Sequence, residues 1–225
     1  MASRNSFAVE EWYHCYNRGV DKRAIFDNES DANRFLMLLY LCNGTEPVYL
    51  YNARKPNLIK TFQENRGRPL AAIGAFCLMP NHYHLLIKEV IEGGITSFMR
   101  KLGTAYTMYF NMKYERVGHL FCGQFRSRHV MNDRYLQRLF HYIHCNPAEL
   151  YEADWKLGKV RNMSSLEKKL VEYPYSSLGS YAQRQSASPV LSSEGFEVAQ
   201  TSSVSRMLEE ARAYYAEISK DKFER

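Results

Sequence analysis

Residues 75–88, Ala75-Phe76-Cys77-Leu78-Met79-Pro80-Asn81-His82-Tyr83-His84-Leu85-Leu86-Ile87-Lys88, read as two strands folded about a Pro80-Asn81 turn. The first five are an apolar run, and those after Asn81 suit a pleated, half-buried surface. Side chains alternate along a strand, so His82, His84 and Leu86 share one face while Tyr83, Leu85 and Ile87 share the other. Two residues along a strand span roughly 6.6 Å, so two imidazoles can converge on one ion. A surface histidine beside a satisfied core histidine has the same spacing. The rest of the chain must decide between the two.

Upstream, Trp12-Tyr13-His14-Cys15-Tyr16-Asn17-Arg18 predicts a first strand closed by Gly19. Asp27 to Ser30 supply cap-type residues for a helix from Asp31 to Cys42, and Phe35, Leu36, Leu38, Leu39 and Leu41 predict its burial. Residues 44–70 read as an insertion or long loop, with Val48-Tyr49-Leu50-Tyr51 as a short strand. Downstream of Gly93-Gly94, Ile95, Phe98, Leu102, Ala105, Tyr106 and Tyr109 form one helical apolar stripe. Arg100, Lys101 and Lys113 lie off it and read as a solvated face.

From Gly118 to Met131, alternation puts Arg126 and Arg128 on one side and Phe125, Ser127 and His129 on the other. Aromatics interleaved with arginines suit a nucleic-acid surface; a charged edge strand looks the same. Asn132 or Asp133 caps a helix running to Asn146 and stopped by Pro147. Leu136, Leu139, Phe140 and Ile143 are its buried stripe. Tyr142 and Asn146 are i and i+4, adjacent on one edge of that stripe, with Arg138 one turn earlier. The proline is expected to tilt Asn146 away from helical angles. Beyond residue 150 the chain predicts a short helix over Ser164 to Val171, turns over Tyr173 to Tyr181, a linker-like stretch from Gln183 to about Ser205, and an amphipathic helix from Met207 to Tyr215. The expected organisation is one domain over 1–182 with a linker and C-terminal helix over 183–225.

At 225 residues the chain can bury a sizeable core. A net charge of +6 favours polyanions, nucleic acid or membrane surface before acidic partners. The five cysteines, Cys15, Cys42, Cys77, Cys122 and Cys145, form no CxxC pair. That points away from a disulfide framework and towards a reducing, cytoplasmic compartment. Met1 to Glu10 has no apolar signal core and there is no run of 18 apolar residues, so no membrane span is expected.

Two imidazoles on a strand and one amide oxygen on a helix would make a three-ligand site with open positions, suited to Mg²⁺ or Mn²⁺ as well as Zn²⁺. A tyrosine beside such a site is a candidate covalent nucleophile. Spacing alone reads Tyr142 first as an ordinary core-edge tyrosine, one of seventeen, and no general base for it is evident.

Pro80-Asn81-His82-Tyr83-His84-Leu85-Leu86 resembles the His-hydrophobic-His motif of single-tyrosine transposases, more particularly the branch associated with repetitive extragenic palindromes (REP). Three further segments fit that branch in order: Tyr13 to Phe26 with Tyr16-Asn17-Arg18-Gly19, Gly118-His119-Leu120-Phe121 through Arg126, and Tyr142-Ile143-His144-Cys145-Asn146-Pro147. Together they span about residues 12 to 148, and Tyr175-Ser176-Ser177 extends the match. Tyr83 is bulkier than the residue usual between the histidines, and Cys145 stands where an apolar residue is common.

The resemblance implies an α+β fold of the HUH endonuclease type: a ferredoxin-like antiparallel sheet with packed helices, here with a C-terminal extension. It implies that His82, His84 and Asn146 hold a divalent metal, Mg or Mn. It also implies that Tyr142 attacks single-stranded DNA, giving a 5′-phosphotyrosine link and a free 3′-hydroxyl, with DNA hairpins as the recognised feature. The protein would act as a monomer or homodimer, and Arg126, Arg128 and Arg138 are the expected phosphate contacts. Two other readings compete. One is a domesticated hairpin-DNA-binding protein that does not cleave. The other is a structural zinc site from His129, His141, His144, Cys122 and Cys145, disfavoured because His141 and His144 point about 60° apart on a helix and no CxxC pair exists.

Overall fold

The computed structural model describes residues 7–48, 57–182, 188–199 and 202–218. In chain order it contains β1 (Trp12–Arg18), α1 (Glu29–Leu41), a short α2 (Leu58–Thr61), β2 (Ala71–Met79), β3 (His82–Glu89), α3 (Gly94–Lys113) and β4 (Arg126–His129). There follow α4 (Asp133–Cys145), α5 (Met163–Val171), α6 (Leu178–Ala182), α7 (Ser193–Val198) and α8 (Val204–Ile218). The strands pair antiparallel in the order β2-β3-β1-β4. With helical crossovers after β1 and β3 this is the βαββαβ arrangement of ferredoxin-like folds, the α+β class the sequence implies. The strand expected at Val48 to Tyr51 lies, beyond Val48, outside the described residues.

Both faces of the sheet are covered. On one, Tyr83, Leu85 and Ile87 of β3 pack with Phe35 and Leu39 of α1 and with Phe98 and Leu102 of α3. On the other, Leu86 packs with Leu136, Leu139 and Ile143 of α4 and with Leu208 of α8. The division follows the strand alternation read from 82–88.

β2 starts earlier than its apolar run suggested, because Ala71 to Gly74 are small residues that carry little strand signal. Its register shifts between Ile73 and Ala75, leaving Gly74 as an extra residue in the strand. A Cβ on Gly74 would lie 2.7 Å from the Trp12 ring, and one on Gly195 of α7 would lie 2.7 Å from the Gly74 Cα. The two glycines thus let a helix rest on the bulge, inside the stretch read as linker-like. On the outer edge of β2, Leu78 N donates to the Tyr175 carbonyl (2.8 Å) and Ser177 N to that of Phe76 (3.0 Å). Tyr175-Ser176-Ser177 therefore covers this sheet edge.

Asn132 caps α4, its side chain accepting from Tyr135 N at 2.9 Å. The expected stripe is buried, and so are His141 and Tyr142, which meet Glu210 and Tyr214 of α8, and His144, which meets Ser177 and Tyr181. Asn146 does not tilt out of register: it keeps φ −52° and ψ −42°. A 3-10 turn, Asn146–Leu150, begins there with Pro147 in its first turn. A proline is tolerated at a helix start because its missing N–H would have had no partner.

Asp31 fastens α1 to the end of α3. Its carboxylate is fully buried and accepts from Tyr109 Oη (2.9 Å), Lys113 Nζ (2.6 Å), Tyr114 Oη (2.7 Å) and Asp27 N (3.0 Å). Burial alone would raise its pKa, but the hydrogen bonds from Lys113, Tyr114 and Tyr109 outweigh burial and lower it. A depressed folded value stabilises fully above the unfolded value of about 3.9 and is lost as pH falls through the folded one. Asp31→Asn should therefore cost about 2 kcal/mol in urea denaturation at pH 7, and the deficit should narrow below pH about 4; a deficit that does not change with pH would contradict the assignment.

Candidate active site

His82 and His84 point from β3 towards α4, where Tyr142 and Asn146 stand one turn apart. The two imidazole centroids are 4.9 Å apart and their planes cross at 84°. The Tyr142 ring meets that of His84 edge-on at 5.2 Å. All four residues line one cleft of about 490 Å³. Its floor is fixed by the Pro80-Asn81 turn: Ile25 N donates to the Pro80 carbonyl (2.8 Å), Gly19 N to that of Asn81 (2.9 Å), and Asn81 Nδ2 to that of Lys22 (3.2 Å).

The hydrogen bonds around the histidines specify which nitrogens remain. His82 Nδ1 donates to Asn81 Oδ1 at 2.6 Å, which leaves Nε2 with the lone pair in a neutral ring. Asn146 donates Nδ2 to the Tyr142 carbonyl at 2.8 Å, and its side chain is close enough to His82 to oppose the lowering of that pKa. The Asn146 oxygen and the remaining His82 nitrogen are both acceptors, and either can take a proton or a cation. A proton is disfavoured at neutral pH. Burial first, and the Arg18 charge second, bring the His82 pKa down to about 4, against the opposing pull of Glu149 and Asn146. His84 is held well below its ordinary value, by burial first and then by His82 and His14. Its Nδ1 lies 2.9 Å from His14 Nε2, while its buried Nε2 has no hydrogen-bond partner.

Two neutral imidazoles and an amide oxygen therefore fit a divalent cation, with open positions for an oxygen ligand. Among the described residues there is no group of three or more His, Cys, Asp or Glu that could hold a metal, so a third protein ligand beside His82 and His84 would have to be of another type, as the Asn146 amide in the same cleft is. The residues of the structural-zinc reading are dispersed. His129 pairs with Glu11 (2.9 Å), His141 with Glu210 (2.6 Å) and His144 with Ser177 (2.7 Å); Cys122 is exposed and Cys145 buried.

Arg126, Arg128 and Arg138, expected as phosphate contacts, do not line the cleft. Arg126 and Arg128 lie on β4, the strand at one end of the sheet order, in register with Tyr16 and His14 and on the face that carries the histidines. Arg138 is 3.5 Å from Glu217 of α8. Among the described residues it is Arg18, Lys22 and Lys156 that line the cleft. Arg18 is the register partner of His82 on β1, and Lys156 pairs with Glu149 (2.8 Å) beneath the Tyr215 ring (4.4 Å). Lys22 follows Asp21 in a turn where both have positive φ, 59° and 56°. Only the register places Arg18, and no local signal marked the two lysines.

A family description, Transposase IS200 like, matches residues 12–146, more than half the chain, and the protein belongs to that family. Its fold is shared with a solved structure of a REP-associated tyrosine transposase bound to a REP hairpin. The two are 13% identical with a TM-score of 0.50, over 90% of this chain and 96% of that one. At that identity the likeness is one of fold. Comparison with curated proteins gives no match. No helix among the described residues is long and apolar enough to cross a membrane.

Proposed function

We propose that the protein is a metal-dependent, HUH-type nuclease and strand transferase acting on single-stranded DNA, with hairpins as the recognised feature. The observation that carries this is the convergence of His82, His84, Asn146 and Tyr142, from a strand and a helix distant in sequence, on one cleft lined by cations. Family membership supports DNA processing, and the hairpin held by the structural neighbour supports the substrate class.

In this reading the Tyr142 hydroxyl attacks the scissile phosphorus. Its proton leaves as the new P–O bond forms, the bond to the 3′-oxygen breaks, and that oxygen takes up a proton to become a free 3′-hydroxyl. The DNA 5′ end stays on Tyr142 as a phosphotyrosine, and reversal with a second 3′-hydroxyl transfers the strand. His82, His84 and Asn146 would hold Mg²⁺ or Mn²⁺; the chemistry a bound divalent ion supplies there is polarisation of a phosphoryl oxygen and neutralisation of developing charge. Packing of Tyr142 against His84 holds the phenol ring beside the paired imidazoles, the kind of positioning that favours attack. Lys22, Lys156 and Arg18 supply positive potential along the approaching backbone, and Arg126, Arg128 and Arg138 extend it.

Incubating the protein with a labelled single-stranded hairpin and Mn²⁺ should give a covalent adduct on a denaturing gel, absent with chelator and absent in Tyr142→Phe, which should still bind the hairpin. An adduct formed by Tyr142→Phe would reject the nucleophile; hairpin binding with no metal-dependent adduct would favour the non-cleaving reading. Replacing Lys22 or Arg126 by Ala should flatten the slope of log affinity against log salt by about 0.7 to 0.9 each. Arg138→Ala should change it less, because Glu217 already offsets that charge. An unchanged slope would remove the residue concerned from the interface.

A further inference from the structure

His14 is fully buried at the centre of β1, and the chemistry above does not use it. Its ring stacks on that of His84 (5.0 Å between centroids), and its Nε2 lies 2.9 Å from His84 Nδ1. On its other side Nδ1 lies 3.4 Å from the Tyr214 hydroxyl, which in turn is 3.1 Å from the Tyr135 hydroxyl. A line of polar groups thus runs from the candidate metal ligand through the core to α8 and α4. Buried polar groups persist where each finds a partner.

A neutral imidazole has one donor and one acceptor nitrogen, so the line closes in two senses. In one, His14 Nε2–H donates to His84 Nδ1, and the proton of His84 then sits on Nε2, where it is buried with no acceptor. In the other, His84 Nδ1–H donates to His14 Nε2, and His14 Nδ1–H donates to Tyr214. The second sense leaves a lone pair on His84 Nε2, directed away from the core line. The Tyr214 hydroxyl can rotate to accommodate either.

We infer that His14 is a positioning residue: by accepting from His84 Nδ1–H it fixes the tautomer and ring orientation that leave His84 Nε2 to ligate the cation, and Tyr214 of α8 secures His14 in that role. The inference rests on the metal site of the proposed function. It also gives α8, which lies beyond the family-matched residues 12–146, a part in building the site. Outer partners of this kind typically change metal affinity 10- to 100-fold when removed.

The test uses the full-length protein and two readouts independent of cleavage. Imidazole ¹H–¹⁵N spectra of the metal-free wild type should show His84 protonated at Nδ1; protonation at Nε2 overturns the inference without any variant. Titration with Mn²⁺, followed by electron paramagnetic resonance, should show His14→Leu binding 10- to 100-fold more weakly than wild type. His14→Gln keeps an acceptor near the Nε2 position and should recover most of the affinity, while Tyr214→Phe should lose less than His14→Leu. Folding of each variant is checked by circular dichroism. A folded His14→Leu that binds as tightly as wild type, or a His14→Gln no better than His14→Leu, overturns the inference alone. Wild-type protein that takes up no Mn²⁺ overturns the metal site itself and this inference with it.

Discussion

β3 runs through the interior of the sheet with both faces covered, and its pleat sends successive side chains to opposite cores. Tyr83, Leu85 and Ile87 anchor the strand against α1 and α3, so His82 and His84 can only face α4. Slipping the strand by one residue would exchange the two sets and bury imidazoles among the aromatics of the α1 and α3 side. The pairing of β3 with both β1 and β2 holds it in place, and the bonds from residues 19 to 26 to the Pro80-Asn81 turn fix its start. The polar groups that β1 brings to the site follow from that register: Arg18 opposite His82, Tyr16 opposite His84, and His14 one step further, within reach of His84.

The second element is α4, whose unusual burial comes from having two neighbours. One stripe meets the sheet and the adjoining flank meets α8, so Tyr142 sits between His84 and Tyr214 (ring centroids 4.8 Å apart). Asn146 then stays in helical geometry one turn later because a 3-10 turn starts with it and takes Pro147 into its first turn. Burying several imidazoles and phenols in one region costs solvation energy that an apolar core would not incur. Such groups are expected where function requires them and where neighbouring hydrogen bonds offset the cost.

Much of this could be read from residues in order. The bounds of β1, the two faces of β3, the stripe of α4 and the Tyr142-Asn146 adjacency all depend on local periodicity, which a sequence displays directly. What escaped depends on contacts between distant segments. The bulge at Gly74 exists because Trp12 and Gly195 close on it; α7 formed within a stretch whose serines and glutamines look like linker. Asn146 was expected to tilt because the rule for residues before proline was applied without the following turn. The cleft cations came from register and from a left-handed turn at Asp21-Lys22, neither of which periodicity reports, whereas the arginines of β4 were conspicuous in the sequence but border the cleft instead of lining it. His14 carried no signal at all, since a lone histidine in an apolar strand reads as a satisfied core residue.

The central claim is that two imidazoles from β3 and one amide from α4 surround a single cation beside Tyr142. Diffraction from crystals soaked in Mn²⁺, recorded at the manganese absorption edge, addresses this most directly. The account predicts one strong anomalous peak bounded by His82, His84 and Asn146 and adjacent to the Tyr142 hydroxyl. Absence of a peak there, or a peak held instead by His141 or His144, would contradict it.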